Sequence, residues 1–198
     1  MLSVHGITRP GIAPADLHLG KGEKIALSGP SGAGKSLLLR AIADLDPNEG
    51  RVTFNGEDRT TFTAPDWRRR VCYLAAESGW WEPTAGAHFT DPEALKPLLT
   101  RLGLGGETLR RPVGYLSTGE KQRLALIRLL VELPPVMLLD EPTAALDDDR
   151  KKVVEDILLE RCSDGAALLI VTHDAAQAKR LGAKRMVMEK GVLRELRR

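Results

Sequence analysis

The stretch Gly29-Pro30-Ser31-Gly32-Ala33-Gly34-Lys35-Ser36 constrains this chain more than any other. It fits Gly-x-x-x-x-Gly-Lys-Ser/Thr, follows an apolar run at Lys24–Ser28 that reads as a buried strand, and opens a second apolar run, 37–43, that reads as a helix. Glycines let successive backbone N–H groups turn inward around phosphate oxygens, and the following helix directs its positive end at them. Lys35 then reaches the β- and γ-phosphates, and the Ser36 hydroxyl takes one position on Mg²⁺. A glycine-rich turn capping an ordinary helix is the plain alternative; the strand before and the helix after favour nucleotide binding.

One such loop in 198 residues means one nucleotide site per chain, in one domain or a domain with a subdomain. A formal charge of +2, from 29 basic and 27 acidic residues, gives no reason to expect a nucleic-acid partner. Arg68-Arg69-Arg70 and the tail residues Arg194, Arg197 and Arg198 read as solvated faces. Two cysteines, Cys72 and Cys162, make neither a disulfide framework nor a metal site, and Cys72 falls in an apparent buried strand, which fits a reducing cytosol. No start resembles a signal peptide and no apolar run approaches the ~18 residues that span a bilayer. Any membrane role therefore passes through a partner rather than direct insertion.

In chain order, 2–7 and 15–19 alternate apolar and polar residues and predict two antiparallel strands around a turn at Arg9-Pro10-Gly11. A turn at 46–50, a strand at 51–54 and the hairpin signal Asn55-Gly56 follow, then an apolar strand at 71–75. From 76 to 116 the prolines at 83, 92, 97 and 112 leave only short amphipathic stretches such as 93–102, which predicts a small helical insert. Leu116-Ser117-Thr118-Gly119-Glu120 opens a helix over 121–132, and Ser117 with Glu120 three residues later also forms a capping-box pattern. The apolar run before Asp140-Glu141 delivers two carboxylates to a strand's C-terminal edge, where open α/β sheets hold their ligands. A helix over 149–162, a strand at Ala167–Val171, the loop Thr172-His173-Asp174 and a hairpin over 185–196 complete the reading.

With the phosphate loop, Leu-Ser-Thr-Gly-Glu, the apolar Asp-Glu strand, Ala145-Leu146-Asp147 and Thr172-His173 in this order, the chain resembles the ATP-binding cassette (ABC) ATPases over nearly its whole length. The resemblance implies a P-loop NTPase of α/β class: a RecA-like, mostly parallel sheet with an N-terminal antiparallel β subdomain and a short helical subdomain. It divides the chain into a nucleotide-binding core, 1–75 and 117–198, and a helical subdomain, 76–116. It implies ATP and Mg²⁺ as cofactors, with Gly29 to Ser36 as Walker A, Asp140 as the Walker B metal ligand, and Glu141 as the residue polarising the attacking water. His173 resembles the switch histidine that holds the γ-phosphate. Ser117, Thr118, Gly119 and Glu120 resemble the signature motif, which closes over ATP held by another subunit, and Asp147 resembles the D-loop residue that crosses the same interface. A head-to-tail homodimer formed on ATP binding follows.

Two positions depart from the family. Ala76 stands where the family carries a metal-binding glutamine, so that Mg²⁺ ligand is absent or is replaced by the neighbouring Glu77. No aromatic residue precedes the loop to stack on adenine, and Arg9 is the nearest candidate. The function implied is a cytoplasmic ATPase subunit, peripheral on the inner face of the cell membrane, that docks on a separate transmembrane permease through Trp80 and Trp81. Small stand-alone cassettes, including those of iron- and haem-exporting bacterial systems, are the most similar members. The alternative is a soluble ABC ATPase that drives assembly or remodelling of a protein complex without transport.

Overall fold

The computed structural model describes residues 1–196; Arg197 and Arg198, the end of the basic tail, lie outside the described residues. Among the described residues ten strands form two sheets. Strands β1 (Leu2–Arg9), β2 (Ile12–Leu19), β4 (Glu49–Phe54) and β5 (Glu57–Asp58) make an antiparallel sheet in the order β2-β1-β4-β5. Strands β3 (Lys24–Ser28), β6 (Val71–Leu74), β7 (Val136–Asp140), β8 (Ala167–Val171), β9 (Lys184–Glu189) and β10 (Val192–Glu195) make the second, in the order β10-β9-β3-β8-β7-β6. All neighbours in that sheet run parallel except the closing β9-β10 hairpin.

The parallel sheet is covered on both faces, which explains why its central strands read as continuous apolar runs rather than alternating ones. Val136 and Leu138 of β7, with Ala167, Leu169 and Val171 of β8, face the core that β1 and β2 share with helix α1 (Lys35–Ile42). Met137, Leu139, Leu168 and Ile170 face the opposite core, filled by α4 (Thr118–Leu130) and α5 (Asp148–Ser163). Trp67, fully buried on the short helix α2 (Ala64–Arg70), closes the first core and donates its indole N–H to the Ile42 carbonyl at 3.0 Å.

Several boundaries differ from the sequence reading, each for a local reason. The turn between β1 and β2 is only Pro10-Gly11, with Gly11 at φ +90°, so both strands are longer than their alternating stretches. Helices α2 and α6 (Ala175–Arg180) were not predicted; seven and six residues show too little periodicity, although Thr63 and Asp174 cap them in ordinary fashion. Strand β6 is an edge strand and Cys72 is half-buried, so the expectation of a buried strand is corrected; burial still raises its thiol to about 11. Arg70 lies over the Phe62 ring and bonds the Asp66 carbonyl, whereas Arg68 and Arg69 are exposed.

The insert, 76–116, contains a single α-helix, α3 (Lys96–Arg101), among 3₁₀ turns. Its prolines prevent longer helices, and Leu95, Leu99, Leu102, Leu109 and Leu116 join the core beneath α4 rather than building one of their own. Among the described residues no helix is long and apolar enough to cross a membrane.

Candidate functional site

The loops after β3, β7 and β8 meet at one end of the parallel sheet. Gly29 follows the last residue of β3 at φ +140°, and a Cβ there would lie 2.1 Å from the Met188 carbonyl oxygen, so only glycine admits this path. Gly34 sits at the N-cap of α1 at φ +104°, with no side chain capping the helix. The first-turn N–H groups are thereby left for an anion. Lys35 is 7% exposed, and its ammonium donates to the carbonyls of Gly29 (2.8 Å) and Pro30 (2.9 Å), which holds the charge across the loop.

Ser31, Gly32, Gly34, Lys35 and Ser36 line a cleft of about 220 Å³ together with Asp140, Glu141 and His173. Asp140 ends β7, 4% exposed, and accepts from the Tyr73 hydroxyl at 3.2 Å. Burial, and then the Asp140 charge, push the Tyr73 hydroxyl well above its ordinary value, so it stays a neutral donor. Glu141, the next residue, adopts φ +48°, a left-handed conformation uncommon for a side chain of its size. That turn brings Glu141 Oε1 to 3.0 Å from His173 Nε2. The Ser36 hydroxyl and the Asp140 carboxylate are hard oxygen donors of the kind Mg²⁺ takes.

Other predicted residues stand apart from this cleft. Ser117 caps α4, its hydroxyl accepting from the Glu120 N–H at 3.2 Å while the Glu120 carboxylate accepts from the Ser117 N–H at 2.7 Å. The Ser117 N–H first, then the Ser117 hydroxyl and Arg111, hold the Glu120 carboxyl below the usual range. Ser117 and Thr118 are exposed, and Gly119 packs so that a Cβ would sit 3.0 Å from the Ala145 carbonyl oxygen. Asp147 caps α5 by accepting from the Arg150 N–H at 2.9 Å. None of 117–120 or 147 lines the phosphate-loop cleft. In one chain the predicted residues thus form two separate groups.

Two expectations are corrected. Glu77 is exposed in the bend that follows β6 and is not part of the cleft lining; the strand ends at Leu74, and the chain has turned to solvent before reaching it. Tyr73 is the β6 residue that reaches Asp140. Arg9 does not present an open guanidinium face for a base. Its side chain is 18% exposed and is ion-paired with Asp46, which also accepts from Arg40 Nε and Nη2, each at 2.7 Å. The trio ties the β1-β2 turn to the end of α1.

Two side chains passed over in the sequence brace the segment 141–147, and a third joins α4 to the insert. Gln122 bonds the Glu141 carbonyl and the Ala145 N–H, while Gln177 Nε2 donates to Thr143 Oγ1 at 3.0 Å and to Glu155 Oε1 at 3.1 Å. Arg123 donates to the Leu102 carbonyl at 2.7 Å, joining α4 to the insert. Buried polar residues inside apolar helices are the only sequence signal of these contacts.

Comparison with known proteins decides the family. The family model described as ABC transporter matches residues 12–144. The chain belongs to the ABC transporter family. A hemin import ATP-binding protein, HmuV, from Streptomyces coelicolor is 37% identical over 193 residues, 89% of this chain and 69% of that protein. A thiamine import ATP-binding protein, ThiQ, from Ruegeria sp. is 35% identical, covering 88% of this chain and 81% of the relative. A cytochrome c biogenesis ATP-binding export protein, CcmA, from Chelativorans sp. is 38% identical, covering 83% and 87%. A solved ATP-binding subunit of an ABC transporter superposes with TM-score 0.88 at 24% identity, over 99% of this chain and 90% of the other. The chain is an ABC-type ATPase, the nucleotide-binding subunit of a transporter, with the P-loop NTPase fold.

The Asp46 trio generates a prediction about this ABC ATPase. Arg40, and then Arg9, hold the Asp46 carboxyl well below its ordinary value. A depressed carboxyl stabilises the fold above its unfolded pKa of about 3.9, and that contribution is lost as pH falls further. Asp46→Asn should therefore lower stability by roughly 2 kcal/mol at neutral pH, and flatten the acid limb of a urea-denaturation pH series below about pH 4.

Proposed function

We propose that this subunit hydrolyses ATP in a head-to-tail dimer of two copies and transmits the change to a separate membrane-spanning permease, as a peripheral protein on the cytoplasmic face. The observation that carries the reading is the shared cleft of the phosphate loop with Asp140, Glu141 and His173. In it, Gly29 to Ser36 cradle the phosphates, and Lys35 neutralises their charge. Ser36 and Asp140 hold Mg²⁺, which when bound offsets charge on the phosphate oxygens. Glu141 accepts a proton from water as that water's oxygen bonds the γ-phosphorus and the bond to the ADP oxygen breaks. His173 orients Glu141 through the contact between them.

The dimer reading is supported by the separation of the two residue groups within one chain. Ser117 and Gly119 of one copy, with Asp147 beside them, complete the cleft of the other. The segment 76–116 acts as the helical subdomain. It carries Trp80, half-buried against the core, and Trp81, 71% exposed. Their loop is pinned by His88, whose Nε2 accepts from the Trp81 and Glu82 N–H groups, each at 3.1 Å, and Arg128 lies about 5 Å from both indole rings. Beside Arg128 runs a groove of about 220 Å³ lined by Leu45, Cys72, Leu74 and Leu129. We assign the permease contact to Trp81 and this groove, leaving Trp80 to packing.

Three variants test the reading. Lys35→Ala should lose ATP binding, whereas Glu141→Gln should keep it, lose roughly 10² to 10⁴ in turnover, and shift from monomer to dimer with ATP in light scattering. Binding retained in the first, or a monomer at saturating ATP in the second, counts against it. Trp81→Ala should leave basal ATPase and melting temperature unchanged but abolish co-purification with the permease in mild detergent; retained co-purification removes Trp81 from the contact.

A further inference from the structure

One buried side chain bridges the two residue groups. Gln122 lies one turn into α4, behind the Ser117 cap, and is 8% exposed. Its amide nitrogen donates to the Glu141 carbonyl at 2.7 Å, and its amide oxygen accepts from the Ala145 N–H at 3.1 Å. Both ends of the segment 141–145 are thus clipped by one planar group. Within the segment, the Ala144 N–H donates to the Glu141 carbonyl at 3.2 Å, closing a tight turn. Three residues before Gln122, Gly119 abuts the Ala145 carbonyl, so helix and segment meet at two positions one turn apart.

The conformation of Glu141 makes this clip consequential. Its left-handed backbone sets the direction of its carboxylate toward His173, and such a conformation persists only where surrounding structure over-determines it. The Val171 carbonyl holds the Glu141 N–H at 3.1 Å on one side of the residue, and Gln122 holds its carbonyl on the other. A core hydrophobe at this position would fill the space without fixing either bond.

We propose that Gln122 is a positioning residue for hydrolysis: its amide locks the backbone of Glu141 to the helix whose tip meets the second copy. Closure of that tip on the partner's nucleotide is then registered at the chain's own carboxylate through the Gln122 amide. This rests on Glu141 acting as the base in the proposed dimer. Because Gln122 acts through Glu141, removing it should affect turnover rather than binding, and should add nothing once Glu141 is gone.

The test compares Gln122→Leu, Gln122→Glu, Glu141→Gln and each Gln122 variant combined with Glu141→Gln, in the full chain. Leu approximates the shape without hydrogen bonds; Glu keeps the acceptor for Ala145 and loses the donor to Glu141. Each Gln122 variant should lower kcat about 10- to 100-fold, the scale of a misplaced catalytic group, with KM for ATP within about twofold. In the Glu141→Gln background, neither should lower residual turnover further or weaken the ATP-dependent dimer. Unchanged kcat, losses that multiply with Glu141→Gln, or a parallel fall in ATP affinity would overturn the proposal. Failure of both variants to fold would likewise make Gln122 a core strut only. If Glu141→Gln alone retains turnover, the assignment of Glu141 fails first, whereas loss there with normal Gln122 variants refutes this inference alone.

Discussion

A parallel sheet buried on both faces leaves its chain one place to do chemistry. Backbone polar groups within β3, β7 and β8 are consumed by neighbouring strands, and their side chains fill two cores. Only the loops leaving the C-terminal ends of the strands can present polar groups to a ligand. The phosphate loop begins directly after β3, Asp140 ends β7 with Glu141 next in the chain, and His173 is the second residue beyond β8. Their convergence follows from strand order: β3 and β7 both flank β8, so three consecutive strands deliver the phosphate loop, the Asp140 and Glu141 carboxylates and His173 to one cleft.

Close backbone approach then decides residue identity at the cleft. Gly29 is required because the Met188 carbonyl occupies the space of any side chain. Glu141 accepts an unfavourable backbone conformation, held by hydrogen bonds from two directions, and gains the orientation that meets His173. The polar network of Gln177, Glu155, Arg180 and Thr143 serves the same segment from the α5-α6 side. Rigidity around residues 141–147 is therefore built from the hydrogen bonds of Gln122 and Gln177 rather than from the loop itself.

What could be read from the sequence was whatever depends on neighbours along the chain. The apolar runs of β3, β7 and β8, the phosphate loop and the Ser117-Glu120 cap are local patterns, and they stand in the structure as their spacing implies. Partners distant in sequence were invisible. Arg9 meets Asp46, 37 residues away, and that ion pair consumes the guanidinium that looked available for a base. Tyr73 reaches Asp140 only because β6 pairs with β7, while Glu77 lies beyond the end of that pairing. The division of the site into two groups is likewise a property of the fold: α4 begins away from the cleft although its residues follow the same motif order.

That division carries the central claim, that each nucleotide is enclosed by two copies. Mixing two variants tests it most directly: Lys35→Ala, which disables the phosphate loop, and Ser117→Arg, which blocks the tip of α4. A mixed dimer contains one site with both defects and one with neither. Each variant alone should be inactive, and an equimolar mixture should recover ATPase toward about a quarter of the unmodified rate, as random pairing of equivalent subunits requires. A mixture as inactive as its components, at concentrations where the unmodified chain turns over, would contradict the account.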